Sequence, residues 1–299
     1  MPFSAAELEE RRKFLGASEA PAALGLSPYF TALELYNSKE GIGEAIEETL
    51  PMMVGVALEP VTIAWFEKKS GLKVTDRQLV VYDKRNPWRR ATLDGKASNG
   101  WIVEAKSSGQ WLNWGADLDA VPAPILYQAA HQMACDVEAP GVYVPVILGQ
   151  RQYRLYEVER DAELIALTTE GEQAFMDRLR TKNPPAPVNH DDLKLLYPID
   201  VGKTITATPY IERVAYDLAS TKAEIKVREK LEESQAFEIK EFMKDAAVLV
   251  DSKGKPLFTY KANMERRMEV SEFRKDHPQL ADAYSPEKAV RKLLNKIKL

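Results

Sequence analysis

Two short apolar segments, each leading into a carboxylate, constrain this chain more than any other stretch: Arg90-Ala-Thr-Leu-Asp94-Gly and Trp101-Ile-Val-Glu104-Ala-Lys106-Ser-Ser. Both read as strands. Between them Ala97-Ser-Asn-Gly100 is turn chemistry, with Asn and Gly able to take positive φ. A hairpin centred on Asn99 sets opposite one another residues whose numbers sum to 198, so Asp94 faces Glu104. Directly opposed side chains have Cβ atoms ~5 Å apart. Two carboxylates that close repel unless a cation lies between them. The period of 2 puts Lys106 on the Glu104 face and turns Ala105 away. A hard divalent cation held by carboxylate oxygens, with a lysine beside it, is a phosphoryl-transfer site. The same residues also suit a plain turn and a solvated Glu-x-Lys pair. The apolar Trp101-Ile102-Val103 run favours the first reading, because a charge entering a buried strand needs a partner or a metal.

A chain of 299 residues can bury a sizeable core and predicts two domains. Its net charge of -4 argues against coating nucleic acid by bulk charge, though a local basic patch remains compatible with it. The single cysteine, Cys135, excludes an internal disulfide framework and a Cys-rich zinc site, and reads as a small buried residue. His131, His190 and His277 are too scattered for a histidine metal cluster. The acidic amino terminus carries no apolar core of a signal peptide, and no apolar run reaches ~18 residues. Both features predict a cytoplasmic protein without a membrane span.

In chain order, Glu7 to Phe14 reads as a charged helix. Ser18 reads as an N-cap and Gly25 as a helix stop, with Arg11 and Arg12 upstream of the amides that follow Ser18. Those amides suit an anion, and they equally suit a plain cap. Thr31-Ala-Leu-Glu34 is a capping box whose helix ends near Gly41, and residues 40–50 read as an acidic loop. Gly55-Val-Ala-Leu-Glu59-Pro60 opens a helix to Gly71, with Pro60 at its first position and Leu58, Val61 and Trp65 as its apolar stripe. Leu79 to Tyr82 is a strand, and Lys84, Arg85, Arg89 and Arg90 cluster around Trp88 as a basic-aromatic patch. An aromatic loop spans Ser107 to Trp114, and a helix from Ile125 to about Asp136 carries Gln128 and Gln132 on one face. Val142 to Leu148 and Tyr153 to Val158 form a hairpin across Gly149-Gln150, and a helix follows from Asp161 to about Arg180. This order predicts an α/β fold, a mixed central sheet flanked by helices. After the stiff Asn183-Pro-Pro-Ala-Pro187 the composition shifts. A single helix of ~55 Å is predicted from Thr208-Pro209 to about Lys244, then a hairpin around Ser252-Lys-Gly-Lys. The tail from Lys261 carries ten Lys or Arg against six Asp or Glu. The predicted boundary places a core at 1–200 and an arm at 201–299.

The ordered motifs are Leu15-Gly-Ala-Ser18-Glu-Ala, Leu24-Gly-Leu-Ser-Pro-Tyr29, Gly55-x-x-Leu-Glu59-Pro, Thr92-Leu-Asp94-Gly, Glu104-Ala-Lys106-Ser and Gln128-x-x-His-Gln132-Met. Taken together over about residues 10–180, they resemble the YqaJ-like viral recombinases, relatives of phage lambda exonuclease in the PD-(D/E)XK nuclease superfamily. The resemblance implies that Asp94, Glu104 and the Ala105 carbonyl bind two magnesium ions, with manganese a possible substitute. Glu59 would complete that metal site. Lys106 would orient and activate the attacking water, and Gln128 would support the site. Ser18, Thr92 and one of Arg11 or Arg12 would hold a terminal 5′-phosphate. Two positions depart from the family pattern. Leu93 stands where a proline is usual, and Ile125 stands where an aromatic residue is usual, with Tyr127 displaced.

The implied activity is a magnesium-dependent 5′→3′ exonuclease on double-stranded DNA ends. It would leave 3′ overhangs for a single-strand annealing partner in phage-type recombination, working as a ring-shaped homotrimer. Two other readings stand beside it. One is a restriction or junction-resolving endonuclease on the same core. The other is a non-catalytic DNA-binding assembly module. Only an end-dependent enzyme needs a 5′-phosphate pocket, and a dead nuclease has no need for Asp94, Glu104 and Lys106.

Overall fold

The computed structural model describes residues 5–43, 49–109, 114, 120–149, 152–264, 268–285, 291–294 and 296–297. The chain divides into two compact units, Met1–Leu196 and Tyr197–Leu299. The tip of the 40–50 loop, half of the aromatic loop 107–114 and the centre of the turn at Gln150 lie outside the described residues, as do parts of the basic tail.

In the first unit the elements run α1 (Ala5–Arg12), β1 (Leu15–Gly16), α2 (Ala20–Ala23), α3 (Ala32–Glu40), α4 (Leu50–Ser70), β2 (Val74–Thr75) and β3 (Leu79–Tyr82). They continue as β4 (Arg89–Leu93), β5 (Gly95–Ala97), β6 (Ile102–Val103), β7 (Lys106–Ser108), α5 (Ala123–Cys135), β8 (Gly141–Leu148), β9 (Gln152–Glu159), α6 (Ala162–Arg180) and α7 (His190–Leu196). The hairpin register is the one its turn demands: Gly95 pairs with Val103 and Lys96 with Ile102, both summing to 198. Strand β6 lies parallel to β8 (Ile102 with Val142), and so does β7 (Lys106 with Val146). The offset is the same on both sides of Glu104 and Ala105, so β6 and β7 are one strand interrupted at those two residues. β9 runs antiparallel to β8, which makes the central sheet mixed.

Residues alternate between two cores. Ile102 packs with Leu93, Met133 and Val144 on the α5 side, whereas Val103 packs with Ile63 and Phe66 of α4 on the other. A charged residue can enter such a doubly covered strand only where partners await it. Asp94 lies at a second discontinuity. β4 belongs to a three-stranded sheet with β1 and β3, while β5 belongs to the central sheet. The chain changes sheets at Asp94, and Gly95 permits it: a Cβ there would lie 2.3 Å from Val74 Cγ1.

Three local expectations are corrected. The fourth helix begins at Leu50, capped at Thr49 and with Pro51 in its first turn, not at Glu59. Pro60 is therefore interior, and its missing N–H leaves one backbone carbonyl a turn earlier without its helical donor. The helix buries Thr62, Ile63 and Phe66, while Val61 and Trp65 are exposed, so the Leu58, Val61, Trp65 stripe is not its core face. Ser18 caps nothing. It lies inside a 3-10 turn, Ala17–Glu19, where Glu19 Oε2 accepts from the Gly16 amide at 2.8 Å. Arg89 is not part of a surface patch. It is buried and paired with Asp83 at 3.0 Å and Glu172 at 2.5 Å.

By length and composition, α4 is also long and apolar enough to cross a membrane (21 residues, mean hydropathy 1.3). It packs Ile63 and Phe66 into the core below the sheet, as a helix of a folded domain does.

The second unit carries α8 (Pro209–Met243), β10 (Val248–Val250), β11 (Pro256–Thr259), α9 (Val270–Asp276) and α10 (Pro278–Tyr284). Thr208 Oγ1 accepts from the Ile211 amide and starts α8. The hairpin turn uses Gly254 at φ 81.

Candidate active site

Glu104 is held through both of its carboxylate oxygens. It is buried where the β6–β7 strand breaks, its amide still bonded to the Tyr143 carbonyl at 2.9 Å. Lys106 Nζ donates to Glu104 Oε1 at 2.6 Å and to Gln128 Oε1 at 3.0 Å. Gln128 Nε2 donates to the same Glu104 oxygen at 2.7 Å, and Gln132 Nε2 donates to Oε2 at 2.5 Å. The two glutamines stand one turn apart on the buried face of α5, so one rigid helix holds both carboxylate oxygens. Gln132 was visible in the sequence as the i+4 partner of Gln128, but its role was not.

Asp94 Oδ2 accepts from the Ala105 amide at 2.8 Å, which ties the sheet-switch residue to the strand break opposite it. Burial first, then the negative charges of Glu104 and Glu59, push the Asp94 carboxyl up to about 8. Lys106 is raised as well, though for it burial works the other way. Burial pulls it down, but Glu104 and Asp94 outweigh that and leave it above its ordinary value, so it remains an ammonium. Glu59 stands close enough for Asp94 to feel its charge, yet its Oε1 is held by Arg77 Nη2 at 3.2 Å and Gln78 Nε2 at 3.0 Å. Arg77 Nε also donates to the Asp94 carbonyl at 2.8 Å. Among the described residues no three Asp, Glu, His or Cys side chains converge closely enough to cage an ion. The pair that does converge fits a hard cation. It offers oxygen donors, and it carries a mutual repulsion that a cation would relieve.

A pocket of about 250 Å³ opens above these groups. Asp94, Glu104, Lys106 and Gln128 line it together with Arg11, Ser18, Thr92 and Arg90. Alternation along β4 accounts for three of these: Ala91 and Leu93 are buried, whereas Arg90, Thr92 and Asp94 share the other face. Arg12 is directed elsewhere. It pairs with Glu9 at 2.9 Å, and its guanidinium lies against Gly41. Between Arg11 and Arg12, the pocket receives Arg11. Arg90 was read as one member of a surface patch, yet it lines this pocket, stacked 4.8 Å over the Phe14 ring and paired with Glu10 at 2.9 Å.

Comparison with known proteins agrees with this architecture. Residues 8–137 match the family model of the YqaJ-like viral recombinase domain. A curated Bacillus subtilis (strain 168) protein, "Uncharacterized protein YqaJ", is 28% identical over 173 residues, 56% of this chain and 54% of that protein. The chain thus spans about half the length of the curated relative it matches. Among solved structures, an alkaline exonuclease (LHK-Exo) from Laribacter hongkongensis superposes with TM-score 0.50 at 21% identity, covering 60% of this chain and 94% of that one. LHK-Exo in complex with dAMP gives TM-score 0.50 at 20% identity over the same shares. The expected α/β fold, with its mixed sheet between helices and a carboxy-terminal long helix and hairpin, is the fold of this chain, and LHK-Exo shares that fold over 60% of it.

Proposed function

We propose that this chain is a magnesium-dependent exonuclease that degrades one strand of duplex DNA from its 5′ end, leaving a 3′ overhang for a single-strand annealing partner. The observation that carries the reading is the pocket itself. A carboxylate pair with a charged lysine and the Gln128 amide lies in the same pocket as Arg11, Arg90, Ser18 and Thr92. An enzyme that cuts within a strand also meets backbone phosphate with arginine, but a terminal monoester carries more charge than an internal diester, so two guanidinium groups beside the carboxylates favour end-dependent cleavage over the endonuclease reading.

Asp94, Glu104 and the Ala105 carbonyl would hold the cations, with Glu59 joining them on release from Arg77 and Gln78. Bound there, magnesium supplies Lewis-acid stabilisation to the attacking and leaving oxygens of an in-line displacement at phosphorus. Lys106 keeps its proton, so it acts as a charged donor that orients the nucleophile or neutralises phosphoryl oxygen, and not as a general base. Gln128 and Gln132 fix the Glu104 rotamer through both of its oxygens. Ser18 and Thr92 offer hydroxyl donors to substrate phosphate. A ring of three copies around the duplex is the assembly that the resemblance implies, and the apolar residues that α4 leaves exposed, Met53, Val56 and Val61, are consistent with contact between copies.

The test is digestion in magnesium of linear and covalently closed circular duplex, with 5′-phosphate and 5′-hydroxyl ends compared. The proposal expects mononucleotides from linear DNA only, released fastest from 5′-phosphorylated ends. Nicking of the closed circle at the rate of linear digestion would replace it with the endonuclease.

A further inference from the structure

The helix that holds Glu104 also grips the strand that leads to Asp94. Gln128 and Gln132 of α5 bind the two Glu104 oxygens. His131, next to Gln132 on the same helix, is fully buried, and its Nε2 meets the Arg90 carbonyl of β4 at 2.9 Å. A carbonyl only accepts, so Nε2 carries a hydrogen and donates. The bond lies where a strand gives out. β1 pairs with β4 at Leu15 with Arg89 and Gly16 with Arg90, then turns into the 3-10 segment Ala17–Glu19. The Leu15 amide takes the Trp88 carbonyl, and Arg90 presents the next carbonyl on that edge.

On its other side, His131 Nδ1 meets Glu172 Oε1 of α6 at 2.7 Å, with one proton between them. Glu172 also pairs with Arg89 of β4, and Arg89 with Asp83. With that shared proton the buried charges of Arg89, Asp83, Glu172 and His131 cancel, so the cluster is neutral in a core that would not hold a net charge. The cluster ties α5, α6 and β4 at one point. Ala91 and Leu93 of β4 pack with Ala129 and Met133 of α5 in an apolar cluster, and apolar packing is non-directional. It presses the helix on the strand without fixing where along the strand it rests. The His131 bond fixes that. One helix thereby holds Glu104 by its carboxylate and the strand leading to Asp94 by its backbone.

We propose that His131 is a positioning residue of the carboxylate pair: through the Arg90 carbonyl it sets how far Asp94 stands from Glu104, and so how tightly that pair holds a divalent cation. It touches neither substrate nor cation itself. This rests on the reading of Asp94 and Glu104 as cation ligands, and its test does not depend on cleavage.

The test is manganese binding to the full chain without DNA, read as free manganese by electron paramagnetic resonance, beside thermal unfolding in EDTA. His131→Asn keeps a donor for Glu172 but is too short to reach β4, whereas His131→Gln puts its Nε2 where the imidazole Nε2 stood. His131→Asn is expected to weaken manganese binding about tenfold, the lower end of what outer partners of a metal site contribute. His131→Gln should restore most of that loss. Asp83→Asn removes a partner of Arg89 on the far side of the same cluster. It should lower Tm as the His131 variants do and keep the wild-type manganese affinity. In cleavage assays His131→Asn should raise the magnesium concentration for half-maximal rate more than it lowers kcat at saturation. Equal manganese affinity in wild type and His131→Asn overturns the proposal. Equal weakening in His131→Asn and His131→Gln, or in His131→Asn and Asp83→Asn, also overturns it, because the cluster would then only stabilise the fold. Absence of manganese binding by wild type overturns the cation reading and the proposal with it. Weaker binding in His131→Asn with rescue in His131→Gln, in a protein that cleaves no DNA, supports the positioning role and refutes the exonuclease.

Discussion

Without a cation, Asp94 should make this protein less stable as pH rises. Its carboxyl is pushed up to about 8 by burial, then by Glu104 and Glu59, whereas an unfolded aspartate titrates near ~3.9. Between those values the folded state keeps a proton that the unfolded state has released. Unfolding free energy therefore falls with pH from about 4 to about 8 and is flat beyond. At pH 7 the gap to the unfolded value is ~3 units at ~1.4 kcal/mol each, a ceiling of ~4 kcal/mol. Asp94 borders a pocket open to water, so about half of that, ~2 kcal/mol, is the working figure. For a unit of this size ~1 kcal/mol moves Tm by ~2–4 °C, which gives ~4–8 °C. The assay is thermal unfolding in EDTA from pH 5 to pH 8 for wild type and Asp94→Asn. The variant's Tm advantage should grow from small at pH 5 to ~4–8 °C at pH 8, and millimolar magnesium should close most of it by raising wild type. A Tm difference that does not change with pH, or no gain from magnesium in wild type, would refute the argument that these carboxylates are held in mutual repulsion.

Further outcomes follow from the same geometry. Asp94→Ala, Glu104→Ala or Lys106→Ala should each abolish cleavage in a protein that still folds and binds duplex, and a folded Lys106→Ala enzyme with wild-type turnover would remove Lys106 from the chemistry. Gln132→Leu leaves Glu104 Oε2 buried without its donor, so unfolding by urea should show a loss of ~1–3 kcal/mol together with lower kcat, and an unchanged kcat would make Gln132 dispensable to the site. Calcium should support DNA binding without turnover, since it takes oxygen ligands at longer and looser geometry, and rapid digestion in calcium alone would contradict the metal assignment. A chain ending at Leu196 should keep single-turnover cleavage but lose assembly or partner contact, and loss of chemistry in a well-folded truncation would show that the second unit contributes to the site.

What could be read from the sequence follows the range of the forces involved. The Asp94–Glu104 register was legible because a tight turn at Asn99-Gly100 fixes pairing locally. The capping box at Thr31 and the Gly-free run of α8 were legible for the same reason. The start of α4 was not. Gly55 and Pro60 look like helix punctuation, but Thr49 caps the helix and packing of Ile63 and Phe66 under the sheet carries it through Pro60. Ser18 looked like a cap until Glu19, bound by the distant Lys39, turned back to the Gly16 amide.

The arginines make the sharper case. Arg89 and Arg90 are neighbours of the same type, and composition cannot tell them apart. Alternation on β4 sends one inward and one into the pocket. Which is which depends on Asp83 and Glu172 waiting inside for Arg89, residues 6 and 83 positions away. An arginine does not enter a core without such partners. The buried acid therefore decides which arginine is left to line the pocket. A basic-aromatic patch read from the sequence becomes, in three dimensions, one structural cation and one that lines the pocket. The same logic separates Arg11 from Arg12: a salt bridge to Glu9 and the guanidinium's packing against Gly41, which has no Cβ, take Arg12 away. The two arginines that share the pocket have acid partners of their own there, Arg90 with Glu10 and Arg11 near Glu19, while Arg89 and Arg12 are held elsewhere. Substituting Glu9 or Glu172 would test that assignment without touching either pocket arginine.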